Sequence, residues 1–333
     1  MKASAVADAN IALVKYWGKR NKKLMLPHNS SISMTTDGLS TLTTVEFDKK
    51  YKEDIFILNG NKFKKGSEEY DEYIGVFLNF VREFSKINLK VKIVSQNNFP
   101  STAGLASSAA GFAALATAIN KSLNLGLSQT ELSMLARRGS GSATRSIFGG
   151  FVEWKKGERE DGSDSFAEQI VPSGYWPEFK MIIGITSKKE KKIKSRAGMA
   201  QTVKTSPYYK VWLESVNEDL KKVKEGILER NFPLVAKTAE ENCLKMHALM
   251  MTARPSVIYW NKGTIEIIHS VLNWKGEGLE TYFTIDAGPQ VKILCLEKDI
   301  DGVRKRLRDI ENLKDIIITK PGRGVRIAEK HLF

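Results

Sequence analysis

The sequence is poor in cysteine and histidine. Its two cysteines, Cys243 and Cys295, lie far apart, and neither belongs to a C-x-x-C pair. This usage argues against a disulfide scaffold and against structural zinc, and it favours a reducing, cytoplasmic location. The four histidines are scattered along the chain, so they support neither a metal cluster nor a Ser-His-Asp triad.

Long apolar segments and the commonest phosphate-loop motif are missing as well. No run is long and apolar enough to cross a membrane, and residues 1–6 lead into a predicted strand rather than a signal peptide. No G-x-x-x-x-G-K-[ST] motif occurs, which excludes a Walker loop. We therefore expect no membrane partner, and any phosphate site must be built differently.

Acidic residues are outnumbered by basic ones. The 52 Lys and Arg against 38 Asp and Glu give a formal net charge of +14, which raises the question of a nucleic-acid partner. The lysines are dispersed, the densest basic run (188–196) is short, and no nucleic-acid-binding motif accompanies it. Phosphorylated small molecules account for the basic excess equally well, so we expect no nucleic acid.

The length and the hydrophobic pattern indicate two domains of mixed strands and helices. At 333 residues the chain exceeds the usual size of a single core. The first strand begins near residue 3, Asn59-Gly60 marks a tight turn, and Ser128 is a candidate helix cap. Helices are predicted at 70–87, 105–121, 129–138, 207–227, 232–250, 256–272 and 299–312, and strands at 41–47, 54–58, 89–95, 151–154, 181–185, 280–286, 291–296, 315–319 and 325–327.

A loop of small residues at 97–109 stands between a predicted strand and a helix. Free N–H groups and the helix dipole at such a helix start favour an anion, and Gly104 lets a phosphate approach the backbone closely. The hydroxyls of Ser107 and Ser108 can reach phosphate oxygens or a bound magnesium. The alternative is a helix packed tightly on a sheet through its small residues, and the loop chemistry leaves both interpretations open.

Three further segments concentrate polar groups. Lys15, Tyr16 and Lys19 form either a clamp for a polyanion or a surface hairpin with aromatic cover. Residues 139–146 carry serines, glycines and an arginine, which suit an oxyanion site or a flexible loop. Residues 194–199 again place a hydroxyl beside an arginine.

Asp286 is the carboxylate of most interest. It ends a predicted strand immediately before Ala-Gly-Pro, where a change of chain direction exposes its side chain. Taken alone, this pattern is more typical of a turn-forming aspartate than of a catalytic one. His247 lies on a Met-rich predicted helix, which favours a packing role.

Together these segments resemble the mevalonate diphosphate decarboxylases of the GHMP kinase superfamily. The resemblance spans nearly the full length and keeps the family order of motifs. Its segments are ADANIALVKYWGKR (7–20), NNFPSTAGLASSA (97–109), RRGSGSATRSIFGG (137–150), SRAGM (195–199) and TIDAGP (284–289). The small-residue loop marks only the superfamily, whereas KYWGK, GSGSAxRS and DAGP are narrower. One departure, Thr144 where relatives often have Cys or another small residue, should not alter the chemistry.

The resemblance implies an α+β fold of the GHMP-kinase type. A β-α-β kinase domain of the ribosomal protein S5 domain 2-like type would occupy 1–180 and contain the phosphate loop 97–109. A ferredoxin-like α+β domain would occupy 181–333 and carry Asp286, with the active cleft between the domains. The resemblance also implies a homodimer.

The implied reaction is ATP-dependent decarboxylation of mevalonate 5-diphosphate to isopentenyl diphosphate, through phosphorylation of the 3-hydroxyl. By position, Asp286 matches the carboxylate that orients or deprotonates this hydroxyl, Lys15 the lysine beside the reacting centre, and Arg145 the arginine that holds the substrate carboxylate. The implied substrate-binding residues are Tyr16, Lys19, Ser140, Gly141, Ser142, Arg145, Ser195 and Arg196.

ATP and Mg²⁺ are the implied cosubstrate and cofactor. The implied nucleotide-binding residues are Asn98, Pro100, Gly104, Leu105, Ala106, Ser107 and Ser108, with Ser108 as the magnesium contact. Competing functions share this fold: a mevalonate 3-kinase, or a decarboxylase of a mevalonate monophosphate or bisphosphate. The 3-kinases diverge in the lysine and aspartate segments, and this chain keeps both.

Overall fold

The computed structural model describes residues 1–67, 70–99, 107–189 and 191–333, and it contains two main β-sheets flanked by helices. The strands are β1 (Lys2–Val14), β2 (Lys19–Asn21), β3 (Leu26–Pro27), β4 (Ser31–Phe47), β5 (Ile55–Leu58), β6 (Asn61–Phe63), β7 (Val91–Asn97), β8 (Phe151–Trp154), β9 (Ala167–Val171), β10 (Phe179–Ile185), β11 (Tyr282–Ile285), β12 (Val291–Leu296), β13 (Asp315–Thr319) and β14 (Arg326–Ala328). The helices are α1 (Val76–Ser85), α2 (Ser107–Leu123), α3 (Gln129–Gly139), α4 (Ser195–Thr205), α5 (Tyr209–Glu229), α6 (Phe232–Met251), α7 (Lys262–Gly276) and α8 (Ile300–Leu307). A π-helix occupies Tyr70–Gly75, and 3₁₀-helices occupy Gly141–Ile147 and Glu297–Asp299. Within the described ranges, no helix combines the length and apolarity needed to cross a membrane.

The first sheet has the strand order β14-β1-β4-β7-β5-β6, with β8 paired to β4 and β9 to β8. Neighbouring strands are antiparallel except β5 and β7, which are parallel. Helix α2 packs on this sheet through small residues, since Ala5 and Ala7 of β1 share one buried cluster with Ala113 and Ala116. These alanines bring the helix close to the strand, as the packing interpretation predicted for this part of α2. At the other end of the chain, β14 returns to pair with β1.

The second sheet has the order β11-β12-β10-β13, and all its neighbours are antiparallel. Helices α7 and α8 share a buried cluster with this sheet, to which they contribute Ile267, Val271, Trp274, Val303 and Leu307. The two sheets with their packed helices confirm the predicted α+β class. They also place the ends of β1 and β11 close together, which positions the candidate site.

Several elements differ from the predictions for physical reasons. The segment predicted as one helix at 70–87 begins as a π-helix before α1. The helix predicted from 256 begins only at Lys262, because the Asn261 side chain accepts the Thr264 N–H in a capping box. The apolar spacing of α5 predicts a buried seam of Leu213, Val216, Leu220 and Val223. The two valines are buried as predicted, whereas both leucines are only half-buried. Strand β9 and helix α4 carry no strong periodicity and were not predicted.

Candidate active site

A single cavity of about 720 Å³ gathers nearly all the predicted site residues that the structure describes. It is lined by strands of the first sheet, by the residues that follow β11 of the second sheet, and by α2, α4 and the first 3₁₀-helix. The predicted residues that line it are Lys15, Tyr16, Lys19, Ser107, Ser108, Ser140, Gly141, Ser142, Arg145, Ser195, Arg196 and Asp286. Segments up to 271 residues apart therefore meet at one place.

Asn98 stands apart from this set. Its side-chain oxygen accepts the Ser40 N–H at 2.9 Å, and its amide nitrogen donates to the Gly38 carbonyl at 2.9 Å. Both polar atoms are thus committed to the backbone beside β4, and the neighbouring Asn97 lines the cavity instead. Four other predicted nucleotide-binding residues, Pro100, Gly104, Leu105 and Ala106, lie outside the described residues.

An ion pair joins the two strand ends at the centre of the site. Lys15 immediately follows β1 and Asp286 immediately follows β11. The Lys15 ammonium donates to Asp286 Oδ1 at 2.8 Å and to the Ala12 carbonyl at 2.8 Å. Both residues line the cavity, and the carboxylate is the more exposed member of the pair, since the Lys15 side chain is 2% exposed and that of Asp286 is 24% exposed.

A buried polar network fixes the backbone of Lys15. Its N–H donates to Asn242 Oδ1 at 2.8 Å, and its carbonyl accepts from the Asn29 side chain at 2.8 Å. Asn242 in turn donates to Asp219 at 2.7 Å, and Asp219 pairs with Lys245 at 2.7 Å. Helices α5 and α6 therefore hold Lys15 in place, a support that the linear sequence did not reveal.

The Asp286 carboxylate is kept ionised. Burial raises its pKa, but the ammonium groups of Lys15 and Lys292 outweigh burial and hold the pKa below its ordinary value. Its Oδ2 atom is buried and accepts no hydrogen bond from the described residues, although Lys292 Nζ lies 3.2 Å away. An ionised carboxylate that lines the cavity can orient a substrate hydroxyl or take its proton.

Arg145 is a buried cation. Its guanidinium donates to Asn10 Oδ1 at 3.2 Å and to Ser31 Oγ at 2.6 Å, and among the described residues no carboxylate lies within 4 Å of it. Burial lowers its pKa to about 10, while Asp286 and Tyr16 act in the opposite direction. Because a buried charge is costly without a counter-charge, this geometry favours an anionic ligand.

Hydroxyl groups line the wall beside Arg145. Ser140 Oγ lies 3.3 Å from Ser108 Oγ and 3.3 Å from Ser142 Oγ, so three hydroxyls stand in a row. The Tyr16 hydroxyl is buried and has no hydrogen-bond partner in the described part of the chain. At Gly141, a Cβ atom would lie 2.9 Å from the Tyr16 ring, so only glycine allows this close approach. These groups offer several donors to a phosphate.

Lys19 and Arg196, two basic residues that line the cavity, differ in their surroundings. Burial lowers the pKa of Lys19 to about 8, and the nearby charges of Arg196 and Lys22 add to the effect. Arg196 donates to the Gly139 carbonyl at 2.6 Å and to the Glu72 carbonyl at 2.9 Å. Its guanidinium is thus anchored to backbone, which leaves Lys19 as the more adaptable charge.

Lys191 also lines the cavity, and sequence analysis noticed it only as part of the basic run. Its ammonium donates to Ser195 Oγ at 2.6 Å and to the Ala287 carbonyl at 2.9 Å. It therefore links the start of α4 to the residue beside Asp286. The signal that could have found it is a cluster of lysines immediately before a serine–arginine pair.

The end of the cavity beside β5 and β6 is apolar. It is lined by β5, β6, the π-helix and α2, and its apolar side chains are Phe56, Leu58, Phe63, Tyr73, Ile74, Phe112 and Leu115. None of these residues was predicted to line a site, because their spacing is that of an ordinary core; Ile74 and Phe112 were predicted only as buried helix positions. The cavity thus has one charged end and one end suited to a flat apolar group.

Comparisons with known proteins agree over the whole chain. The family described as "Diphosphomevalonate decarboxylase-like N-terminal domain" matches residues 7–167, and "Mevalonate 5-diphosphate decarboxylase C-terminal domain" matches 181–322. The diphosphomevalonate decarboxylase of Saccharomyces cerevisiae is 39% identical over 311 residues, which cover 89% of this chain and 78% of that protein.

Solved structures agree with these sequence matches. A structure of MDDEF in complex with MVAPP, AMPPCP and magnesium has a TM-score of 0.92 at 42% identity and covers 99% of both chains. Mevalonate diphosphate decarboxylase from Staphylococcus aureus has a TM-score of 0.92 at 38% identity, over 98% of both chains. The chain therefore belongs to the mevalonate 5-diphosphate decarboxylase family and is an enzyme with diphosphomevalonate decarboxylase activity.

Proposed function

We propose that this enzyme uses ATP and magnesium to convert mevalonate 5-diphosphate to isopentenyl diphosphate, ADP, phosphate and carbon dioxide, through phosphorylation of the 3-hydroxyl. The observation that carries this proposal is the arrangement around one cavity of the Lys15–Asp286 ion pair and the buried Arg145. A carboxylate can act on the hydroxyl while a separate cation holds the substrate carboxylate. Few other reactions need these two groups together.

At the reacting centre, Asp286 accepts the hydrogen bond of the 3-hydroxyl and takes its proton as the oxygen–phosphorus bond forms. Lys15 neutralises the negative charge that surrounds the transferred phosphoryl group. The 3-phosphate then leaves with the carbon–oxygen bond electrons. The electrons of the bond to the carboxylate form the new double bond, and carbon dioxide departs. Arg145 holds the carboxylate until that bond breaks.

The diphosphate of the substrate binds at the charged end of the cavity. Lys19 supplies a charge that can move toward the phosphates, and the Tyr16 hydroxyl supplies a directional donor. The serine hydroxyls and Arg196 complete this set, with Ser195 at the start of α4. The lowered pKa of Lys19 supports this role, because a phosphate beside it would restore the stability of its charged form.

The residues present fit a magnesium ion that arrives with nucleotide phosphates. In the described part of the chain, no three Asp, Glu, His or Cys side chains converge on one point. Magnesium is commonly bound through substrate phosphates and few protein ligands, and the exposed Ser108 hydroxyl at the start of α2 can supply one. The bound ion would neutralise phosphate charge. The apolar end of the cavity suits the nucleotide base. The complex of MDDEF with AMPPCP and magnesium supports the use of ATP and magnesium by this enzyme.

The test of this function is incubation with ATP, magnesium and each mevalonate phosphate in turn, while ADP and carbon dioxide are both measured. We expect equal amounts of the two products with mevalonate 5-diphosphate and little turnover with the other substrates. ADP without carbon dioxide would make the enzyme a 3-kinase. Preferred turnover of the monophosphate or of a bisphosphate would move it to a related decarboxylase.

Lys19→Met is expected to raise KM for mevalonate 5-diphosphate by about 10- to 150-fold, because one charge-assisted contact contributes about 1.5–3 kcal/mol. Steady-state kinetics measures this effect, with Lys23→Met as an exposed control outside the cavity. Since the pKa of Lys19 is about 8, its charge is present below that pH and lost above it. We expect kcat/KM to fall as the pH rises through about 8 in the wild type and not in Lys19→Met. An unchanged KM would place the diphosphate elsewhere.

A further inference from the structure

Lys292 is a charged residue in the interior of the second sheet. It lies on β12, between β11 and β10, where it is paired in register with Thr284 and Ile183. The strand reads V-K-I-L-C-L, so this lysine interrupts an otherwise apolar segment. Its side chain is 0% exposed, and its ammonium lies 3.2 Å from Asp286 Oδ2.

Packing does not account for a lysine at this position. Burying an ammonium group is costly even when it is paired, and an apolar side chain of similar length commonly serves a core equally well. Besides its pairing with Asp286, the Lys292 ammonium makes one further hydrogen bond within the described part of the chain, to the Gln290 carbonyl at 3.3 Å. Burial accordingly lowers the pKa of Lys292, and Asp286 opposes that shift. The lysine is therefore held in the core chiefly by the carboxylate.

The two lysines approach Asp286 from different sides. Lys15 lines the cavity and holds Oδ1, whereas Lys292 does not line the cavity and lies against Oδ2. A bound phosphoryl group would attract the Lys15 ammonium, because that ammonium is within reach of the cavity. No phosphoryl group in the cavity can attract the Lys292 ammonium in this way, because Lys292 is buried outside the cavity lining. Lys292 therefore remains paired with the carboxylate throughout the reaction.

We propose that Lys292 is a positioning residue for the decarboxylase reaction, which holds the Asp286 carboxylate in place and ionised from behind the cavity. This inference rests on the proposed role of Asp286. The titratable groups that face Asp286 or its neighbours are Lys15, Arg145, Lys191, Cys243, His247 and Lys292. Burial raises the pKa of Cys243 to about 11 and lowers that of His247 to about 3, so both are neutral at physiological pH. The positive charge around Asp286 therefore comes from the lysines and Arg145. Among these cations, Lys292 is the one that bound substrate cannot draw away from the carboxylate.

The first test compares Lys292→Met with Lys180→Met. Lys180 is a matched control, since it is a largely buried lysine on β10 of the same sheet, 3.6 Å from Glu297 and outside the cavity lining. We expect Lys292→Met to lower kcat by about 10- to 100-fold with little change in KM, because small misplacements of a reacting group have effects of this size. Loss of a cation raises the pKa of Asp286, so the acidic limb of the kcat profile should move up by about 1–3 pH units. Lys180→Met should change neither quantity.

Stability separates this role from a structural one. Methionine removes a buried charge and leaves Asp286 paired with Lys15, so Lys292→Met should melt at or above the wild-type temperature. A Lys292→Met protein that fails to fold, or that loses stability and activity together, would overturn the proposal. A folded variant with wild-type kcat and an unchanged pH profile would overturn it as well.

The decisive measurement is a double-mutant cycle with Asp286→Asn. If Lys292 acts through the carboxylate, Lys292→Met should change kcat less than about twofold in the Asp286→Asn background. It should also restore stability there, because it removes a lysine that has lost its counter-charge. An equal fold-loss in both backgrounds would refute the positioning role. If Asp286→Asn alone keeps wild-type kcat, the proposed role of Asp286 is wrong. That outcome differs from a cycle in which Asp286→Asn loses activity and the two effects are additive, which refutes only the role of Lys292.

Discussion

Asp286→Asn is expected to lower kcat by at least about 100-fold while KM for mevalonate 5-diphosphate changes little. The substitution keeps the size of the side chain and its capacity to form a turn, but removes the negative charge and the basic oxygen. General-base contributions are typically about 10²–10⁴-fold, and they appear in kcat when the interaction is made mainly in the transition state. The structural reason to expect this loss is that the Asp286 carboxylate lines the cavity and is kept ionised by Lys15 and Lys292.

Glu240→Gln provides a matched control for this experiment. Glu240 is also a buried carboxylate paired with a lysine, Lys275 at 2.8 Å, and it accepts the Phe283 N–H at 3.0 Å without lining the cavity. We expect its loss to lower the melting temperature and leave kcat near the wild-type value. Steady-state kinetics and thermal melts of both variants give the comparison. If the folded Asp286→Asn enzyme kept most of its kcat, Asp286 would have only a turn-forming role and no part in catalysis.

Local signals predicted much of the fold. Helix α3 begins where its sequence indicates, because Ser128 and Glu131 form the capping box that ends the preceding loop. The tight turn at Asn59-Gly60 is also present, with positive φ at both residues, as this dipeptide favours. Each of these features depends on a few neighbouring residues, so the linear sequence contains the information needed to predict it.

Features that depend on distant contacts were harder to predict. The apolar spacing of α5 correctly indicated Val216 and Val223 in its buried seam, but Trp212 and Asp219 are buried there in place of the two leucines. Asp219 is buried because Lys245 and Asn242 of α6 satisfy its carboxylate. A charged residue at a core position has no periodic signal of its own, and only the partner helix makes it favourable.

The same distinction applies to the site. Motifs shared with a known family predicted Lys15, Arg145 and Asp286, and the fold brings them to one cavity. Lys292 was missed, although a single lysine within an apolar strand is a readable signal of a buried charge. The apolar end of the cavity was missed because aromatic residues such as Phe56 look the same in a core and in a ligand site. Chemistry concentrated in a short motif could be predicted, and chemistry assembled across elements could not.

Arg145→Gln is expected to lower kcat/KM by about 30- to several-thousand-fold. A bound substrate carboxylate would lose the buried cation proposed to pair with it, and removal of one member of such a pair costs about 2–5 kcal/mol. Glutamine keeps a polar group near Asn10 and Ser31, so the hydrogen bonds of the free enzyme are partly retained. The substitution should therefore affect the binding of substrate more than the stability of the free enzyme.

Arg137→Gln is the matched control for that variant. Burial lowers the pKa of Arg137 to about 10, as for Arg145, but its guanidinium donates to the Gly162 carbonyl at 2.9 Å and does not line the cavity. We expect Arg137→Gln to lower the melting temperature without weakening the binding of substrate. Arg145→Gln should weaken the binding of substrate and leave the melting temperature of the free enzyme near that of the wild type. Thermal melts with and without mevalonate 5-diphosphate, beside kcat/KM, separate the two effects. If substrate stabilises Arg145→Gln as strongly as the wild type, the carboxylate binds to a different group.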